Sequence, residues 1–388
     1  MTVLPTTISA FAEEAETFLR SVAVPHSDSG TDRRSAPQVR LFPERETSEE
    51  LDQARYWLRT RFDGGFGFLT GPADLGGRGL GIDHEVLYTD LERQYEVPDL
   101  SGFGVSRGVI APTLLDWGSA EQQQIVPRLH RGDLVACQLF SEPAAGSDLA
   151  SVATTASATD GGWSITGSKV WTSGAHHSDL GLALCHTKSG TGAKHADLTM
   201  FLIDMTQPGV EVRPLRQMTG GASFNEIFLD SVSVGEDAIV GSIGNGWRVA
   251  RTTLDHERRG GSAGPAGQAM AVASVLLTLA RDQQLQGSAR QAVIEAYTQQ
   301  RILGWLTARS IGADGALAPL LKLSLTETLR QWADTLGSMV GPSLIAPSTP
   351  EATMWSEFVL GVPGYRIAGG TDEIQRNVIG ERLLGLPR

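Results

Sequence analysis

Apolar residues recur every three or four positions near the start of the chain, at Ile8, Phe11, Ala12, Ala15, Phe18, Leu19 and Val22, with Glu13, Glu14 and Glu16 outside that face. This period predicts an amphipathic helix. The following stretch, PHSDSGTDRRSAPQVRLFPERETSEE, is too poor in periodic apolar residues to form an element and reads as a loop or arm. The helical period resumes in LDQARYWLRTRF through Leu51, Ala54, Leu58 and Phe62. After the turn-rich GPADLGGRGLG it returns around Leu87 and Ile125.

From about Val135 to Val240 the pattern shortens to short strands and turns: ACQLF, LGLALCH, LTMFLIDM, VEVRPL and FNEIFLDSVSV. WSITGSKVW and IFLDSVSV alternate apolar and polar residues, and Asp160-Gly161-Gly162 is a hairpin turn. Closely spaced strands without intervening helices predict a small antiparallel barrel or sandwich. Beyond Gly244 the helical period returns with broad apolar faces in GQAMAVASVLLTLARDQQ, RQAVIEAYTQQRILGWLTARSIG and APLLKLSLTETLRQWADTLGSMVG. Such faces predict a helical bundle. PSLIAPSTPEATMWSEFVLGVPG reads as a proline-containing connector to a last helix, TDEIQRNVIGERLLGL. The expected class is α+β in three parts: helical over 1–134, β over 135–240 and helical over 241–388.

Bulk composition narrows the functions. With 388 residues, 41% of them hydrophobic and 20% charged, the chain suits an ordinary globular protein of two or three lobes. A formal charge of -12 argues against nucleic acid or an anionic membrane as partner. Two cysteines, Cys137 and Cys185, exclude a disulfide scaffold or a cysteine-rich metal site. The N-terminus lacks the basic segment of a signal peptide, and no apolar run spans a bilayer, so a cytoplasmic location is expected.

One residue carries chemistry out of register with its surroundings. In GNGWRVARTTLDHERRGG, Trp247, Ala250 and Leu254 mark an inward face, and the next inward position is Glu257. Its helical neighbours Thr253, Leu254, Gly260 and Gly261 include no cation. Withdrawn from water, such a carboxyl rises towards neutrality and suits a general base. Elsewhere, GFGFLTG is wrongly spaced for a dinucleotide loop, and His176-His177 lacks further ligands at metal spacing, so no metal is expected. LFSEPAAGSDLAS offers small residues and the hydroxyls of Ser141 and Ser147 for close backbone approach to a ligand. KVWTSG adds the flat face of Trp171 beside the hydroxyls of Thr172 and Ser173.

Taken together, PADLGGRGL, APTLLDWGSAEQQQIVPRLHRGD, SEPAAGSDLA, GSKVWTSGA, FNEIFLDSVSV, GNGWRVA and GGTDEIQRNVIGERLLGLPR resemble acyl-CoA dehydrogenases, from about residue 50 to the C-terminus. The resemblance implies a helical N-terminal domain, a central antiparallel β-barrel and a C-terminal four-helix bundle, with FAD between barrel and bundle. It implies that Gln138, Phe140, Ser141, Trp171, Thr172 and Ser173 surround the flavin ring. It further implies that Thr371 and Gln375 hold the rest of the cofactor, while Ser147 and Arg258 steady the acyl carrier.

Two departures from that family matter. Many members place a catalytic glutamate directly before Gly-Thr, where this chain has Gly369 in Ala368-Gly369-Gly370-Thr371. A minority carries it on the first bundle helix, at the position of Glu257, leaving the Gly369 amide to hold a thioester oxygen. The family's Arg-x-x-Phe-Gly is also missing from ARDQQLQGSARQ. The expected activity is α,β-dehydrogenation of an acyl-CoA or acyl-carrier-protein thioester, with electrons passed to an electron-transfer flavoprotein-like acceptor. The expected assembly is a homo-oligomer or a mixed tetramer with a second, unlike chain. The alternatives are a catalytically silent accessory subunit and a flavin oxidase or hydroxylase.

Overall fold

The computed structural model describes residues 7–26, 47–187, 195–259, 285–310 and 317–387, with 277, 280 and 281 besides. Helix α1 (Ile8–Val22) begins where the Thr7 hydroxyl accepts from the Ala10 N–H, and it buries Phe11, Ala15 and Leu19. Helix α2 (Ser48–Asp63) starts at a reciprocal Thr47–Glu50 capping box. With α3 (Ile82–Glu92), these faces share a core around Trp57, Phe66 and Tyr88. A π-helical turn, Ser106–Ile110, leads into α4 (Ala111–Trp117), followed by α5 (Ala120–Gln123) and α6 (Val126–Arg131).

Strands β1 (Val24–Pro25) and β2 (Tyr95–Glu96) form a small separate pair. The main sheet has eight strands: β3 (Ala136–Leu139), β4 (Thr155–Thr159), β5 (Gly162–Ser173), β6 (Leu180–Thr187), β7 (Leu198–Asp204), β8 (Val210–Leu215), β9 (Phe224–Val234) and β10 (Ile239–Val240). The β4–β5 hairpin turns at Asp160-Gly161, with Gly161 at φ 90°, as the sequence predicts.

The expectation of a closed antiparallel barrel is corrected. The sheet is open, running β10-β7-β6-β4-β5-β9-β8, with β3 attached to β6. It is also mixed, because β3 and β4 both run parallel to β6. Its two ends explain the lack of closure. Strand β10 has only two residues. Strand β8 is largely exposed and carries Glu211, Arg213 and Pro214, and proline and charge both blunt an edge.

The helical C-terminal part contains α7 (Gly246–Arg259), α8 (Gly287–Ser310), α9 (Ala318–Val340), α10 (Pro350–Ile367) and α11 (Asp372–Val378). Helices α8 to α10 close around Trp332, Trp355 and Phe358. Most of GQAMAVASVLLTLARDQQ lies outside the described residues, as do Gly260 and Gly261. The supposed connector is in fact mostly helix α10. Its prolines mislead: Pro350 stands in the first turn, where no N–H is needed, and buried Trp355, Phe358 and Val362 hold the rest despite Pro363. No helix among the described residues is long and apolar enough to cross a membrane.

One core ties the parts together. Ile110, Leu114, Val126 and Leu129 of the first helical part meet Leu182, Leu184, Leu198 and Met200 of the sheet, and Val249 and Ala250 of α7 complete it. Helix α7 therefore starts on the sheet and leads towards the C-terminal helices.

Candidate functional site

The predicted site residues fall into two groups. The first lies along β5 and the turn after β3. Along β5 Trp163, Ile165 and Lys169 all point inward, across a first register shift between Ile165 and Gly167. A second register shift, between Lys169 and Thr172, then breaks this pattern. Val170 and Thr172 become the buried residues, while Trp171 turns outward with φ 62° and 60% exposure. Bulges re-aim side chains in this way, and a left-handed backbone is costly for so large a residue. An aromatic at this point of a strand is ordinarily core. Here it is displayed, edge-on to Phe224 at 6.0 Å.

The turn that carries Phe140 and Ser141 is stitched to the same stretch. Lys169, wholly buried, donates to the Phe140 carbonyl (3.2 Å), the Leu184 carbonyl (2.6 Å) and Glu142 Oε1 (2.8 Å). Glu142 also accepts from the Ala153 N–H at 2.6 Å and the Thr154 N–H at 2.9 Å. The Val170 N–H donates to the Ser141 carbonyl at 2.9 Å. Burial raises the Glu142 carboxyl, but the Lys169 ammonium and these donors override it, so Glu142 lies below the usual carboxylate range. Phe140 is buried, Gln138 and Ser141 are half-buried, and Ser147 and Ser173 are exposed. The Thr172 hydroxyl is buried without a hydrogen-bond partner among the described residues.

The second group lies where α7 meets the last loop. Three polar ties fix the rotation of α7 against α4. Thr113 Oγ1 donates to Thr253 Oγ1 (3.2 Å), Trp117 Nε1 to Thr252 Oγ1 (3.1 Å), and His256 Nε2 pairs with Asp116 Oδ2 (2.8 Å). Val249, Ala250 and Thr253 form the buried face, with Trp247 and Leu254 beside it. Glu257, one turn beyond Thr253, is half-buried. It does not stand without a partner, so the solitary carboxyl of the sequence reading is corrected.

Gly369 has φ 64°, and a Cβ placed on it would lie 3.4 Å from Glu257 Oε1. The structure thus brings together the glycine of the last motif and the glutamate of the first bundle helix. Gln375, buried, donates from Nε2 to the carbonyls of Gly369 and Gly370, each at 3.1 Å. The Thr371 hydroxyl caps α11 by accepting from the Ile374 N–H at 3.3 Å. Among the described residues, the Gly369 N–H has no hydrogen-bond partner. Arg258 lies in the last turn of α7, outside the residues whose side chains are described.

Sequence reasoning missed the residues that hold this loop. Asp372 accepts from Arg366 Nε (2.7 Å), Thr326 Oγ1 (2.8 Å) and Lys322 Nζ (3.1 Å). Burial raises Asp372, and those three donors outweigh it, leaving it below the usual range. No local pattern could have found Lys322 and Thr326, some fifty positions away in sequence. Lys169 did leave a signal, a cation on the apolar phase of a strand. No group of three or more metal-ligating side chains occurs among the described residues.

Comparison with known proteins returns two family models. "Acyl-CoA dehydrogenase, middle domain" matches residues 137–232, and "Acyl-CoA dehydrogenase, C-terminal domain" matches residues 244–384. The relative named acyl-CoA dehydrogenase IpdE1, from Mycobacterium tuberculosis, is 35% identical over 351 residues, spanning 88% of this chain and 90% of its own length. Among solved structures, the Tcur3481-Tcur3483 steroid ACAD has a TM-score of 0.77 at 25% identity, covering 100% of this chain and 99% of its own. The ChsE4-ChsE5 complex from Mycobacterium tuberculosis, at 21% identity and TM-score 0.72, covers all of both chains and shares the fold.

Proposed function

The chain belongs to the acyl-CoA dehydrogenase family and is an oxidoreductase acting on acyl-CoA, and on that premise we propose that it oxidises the acyl group between its α and β carbons with Glu257 as the base. The observation that carries this reading is the meeting of Glu257 Oε1 with Gly369, at a motif position where the usual carboxylate is missing. A half-buried carboxylate there takes the α-proton, while the Gly369 N–H, unpartnered among the described residues, donates to the thioester oxygen and stabilises the enolate as charge develops. Bracing of the Gly369 and Gly370 carbonyls by Gln375 keeps that amide aimed before substrate arrives.

The residues present fit FAD. Trp171 offers an exposed flat face held outward by a strained bulge, and Thr172 adds a buried hydroxyl with no partner among the described residues. Phe140, Ser141, Trp171 and Ser173 would hold the ring, with Gln138 behind them and Thr371 and Gln375 near the remainder. When bound, FAD supplies the acceptor for the β-hydride. Ser147 and Arg258 would steady the CoA arm, and an electron-transfer flavoprotein-like protein would take the electrons onward.

Changing Glu257→Gln keeps the side chain's shape and removes the base. The variant should retain its yellow cofactor yet reduce it with acyl-CoA about 10²–10⁴-fold more slowly. Substrate bleaching at the parental rate would rule out this assignment. A second reading concerns assembly: ARDQQLQGSARQ lacks the family's arginine motif, and two structural neighbours bear the names of two-chain complexes. Under that reading a second, unlike chain completes the cofactor grip. Full FAD occupancy in the chain purified alone would count against it.

A further inference from the structure

The pair His176-His177 has no part in the chemistry above, yet it lies between the flavin-facing strand and the first helical part. It occupies the 3-10 turn Ala175–His177, separated from Ser173 by Gly174 alone. Gly174, at φ 63°, lets the His177 ring approach closely, since a Cβ there would stand 3.0 Å from that ring. From the pair, polar contacts extend both ways. His177 Nε2 lies 3.1 Å from the Gly102 carbonyl, in the 3-10 turn Ser101–Phe103 of the first helical part. His177 Nδ1 lies 3.2 Å from His176 Nε2, and His176 Nδ1 lies 3.4 Å from Asn225 Nδ2. Asn225, wholly buried, donates from the same nitrogen to the Thr172 carbonyl at 3.1 Å.

The ends dictate the direction of every bond between them. Both termini are carbonyl oxygens, which only accept. Asn225 must therefore turn its amide nitrogen to Thr172, and its second N–H faces His176 Nδ1. That atom must be the bare nitrogen, so His176 carries its proton on Nε2 and donates to His177 Nδ1. His177 then carries its own proton on Nε2 and donates to Gly102. One arrangement satisfies all four contacts: two neutral imidazoles, each protonated at Nε2.

We propose that Asn225, His176 and His177 form a tautomer-locked strut that positions the Trp171–Ser173 stretch against the Ser101–Phe103 turn. The three are positioning residues for the dehydrogenation proposed above, and the inference rests on that reading for its catalytic consequence. Thr172, where the strut ends, lies between Trp171 and Ser173, both among the residues assigned to the flavin ring. Through it the first helical part and the flavin strand keep one spacing.

The test uses the full chain. In ¹⁵N-histidine spectra above the imidazole titration range, both rings should show the neutral Nε2–H pattern, and an Nδ1–H pattern at either would overturn the strut. His177→Phe keeps the ring and removes both nitrogens. Hydrogen exchange of the apo protein should then quicken in the peptides covering Ser101–Phe103 and Trp171–Ser173 and stay unchanged in the bundle. Unchanged exchange in both peptides would overturn the proposal. In the FAD-loaded variant kcat should fall roughly tenfold or more with KM less affected, as misplacement of reacting groups predicts.

Asn225→Asp guards against misfolding of that variant. Its carboxylate only accepts, so it forces His176 to protonate Nδ1 and should shift the His176 ring to the Nδ1–H or doubly protonated pattern. An unaltered His176 spectrum would refute the directional chain. Should the parental chain fail to bind FAD even with the second chain it needs, the functional reading falls, while the spectra and apo exchange still decide the strut.

Discussion

The two halves of the candidate site are fastened by the same kind of bond in different surroundings. Around Trp171, the Glu142–Lys169 pair is almost wholly withdrawn from water, with side-chain exposures of 6% and 0%. Around Gly369, Asp372 is equally hidden at 3%, but its partners are not: Lys322 is 15% and Arg366 38% exposed. The first fastening joins four separate stretches through ions that cannot fall back on solvent. The second joins α9, the end of α10 and the start of α11 through an anion whose cations can. A buried pair loses most when one partner is removed, because the other is left charged and unpaired. The stretch proposed to face the ring is therefore the rigid half, and the loop beside the proposed base is the adjustable one.

Lys169→Met is the hardest test of that contrast. It strands Glu142 and should cost about 3–5 kcal/mol of stability in chemical denaturation. A loss under ~1 kcal/mol would show that the pair does not govern that stretch. Asp372→Asn should be milder, about 1–3 kcal/mol, since Lys322 and Arg366 regain water.

Its pH dependence has a definite sign. The folded Asp372 carboxyl lies below its ordinary value, so its stabilisation is present above the usual aspartate range and is lost as pH falls through the lowered value. Melting temperatures of parent and variant should converge in acid, and a constant gap down through that range would remove Asp372 from the account. The smallest effect belongs to Trp171→Gly. Relief of the left-handed backbone should leave stability unchanged or raise it by about 1 kcal/mol, while FAD binding weakens. A clear loss of stability would mean that the indole is there to pack, not to face a cofactor.

Much of this was legible in residue order. The α–β–α succession, the Asp160-Gly161 hairpin and the packing of Leu254 on the inward face of α7 all follow from local period. The two quoted loops, SEPAAGSD and VWTSG, do meet, and Glu257 does approach the motif that lacks a carboxylate. Other features lie beyond local pattern for identifiable reasons. Alternation alone would send Trp171 inward, and only a bulge reverses it. The prolines of α10 signal a break that tertiary burial of Trp355 and Phe358 overrules. Closure of the sheet depends on whether its end strands find second partners, and among the described residues β8 pairs only with β9 and β10 only with β7.

Local spacing by itself determined which face of each element is apolar and which motifs carry hydroxyls, glycines and a carboxylate, because those properties repeat within a few residues along the chain. Tertiary structure alone decided that Lys169 would answer Glu142, that Asp372 would collect Lys322, Thr326 and Arg366, and that His176 and His177 would bridge Thr172's neighbour Asn225 to Gly102. Each of these pairings saturates a buried polar group. Which distant group arrives to do so is set by how the lobes pack, not by any pattern within one element.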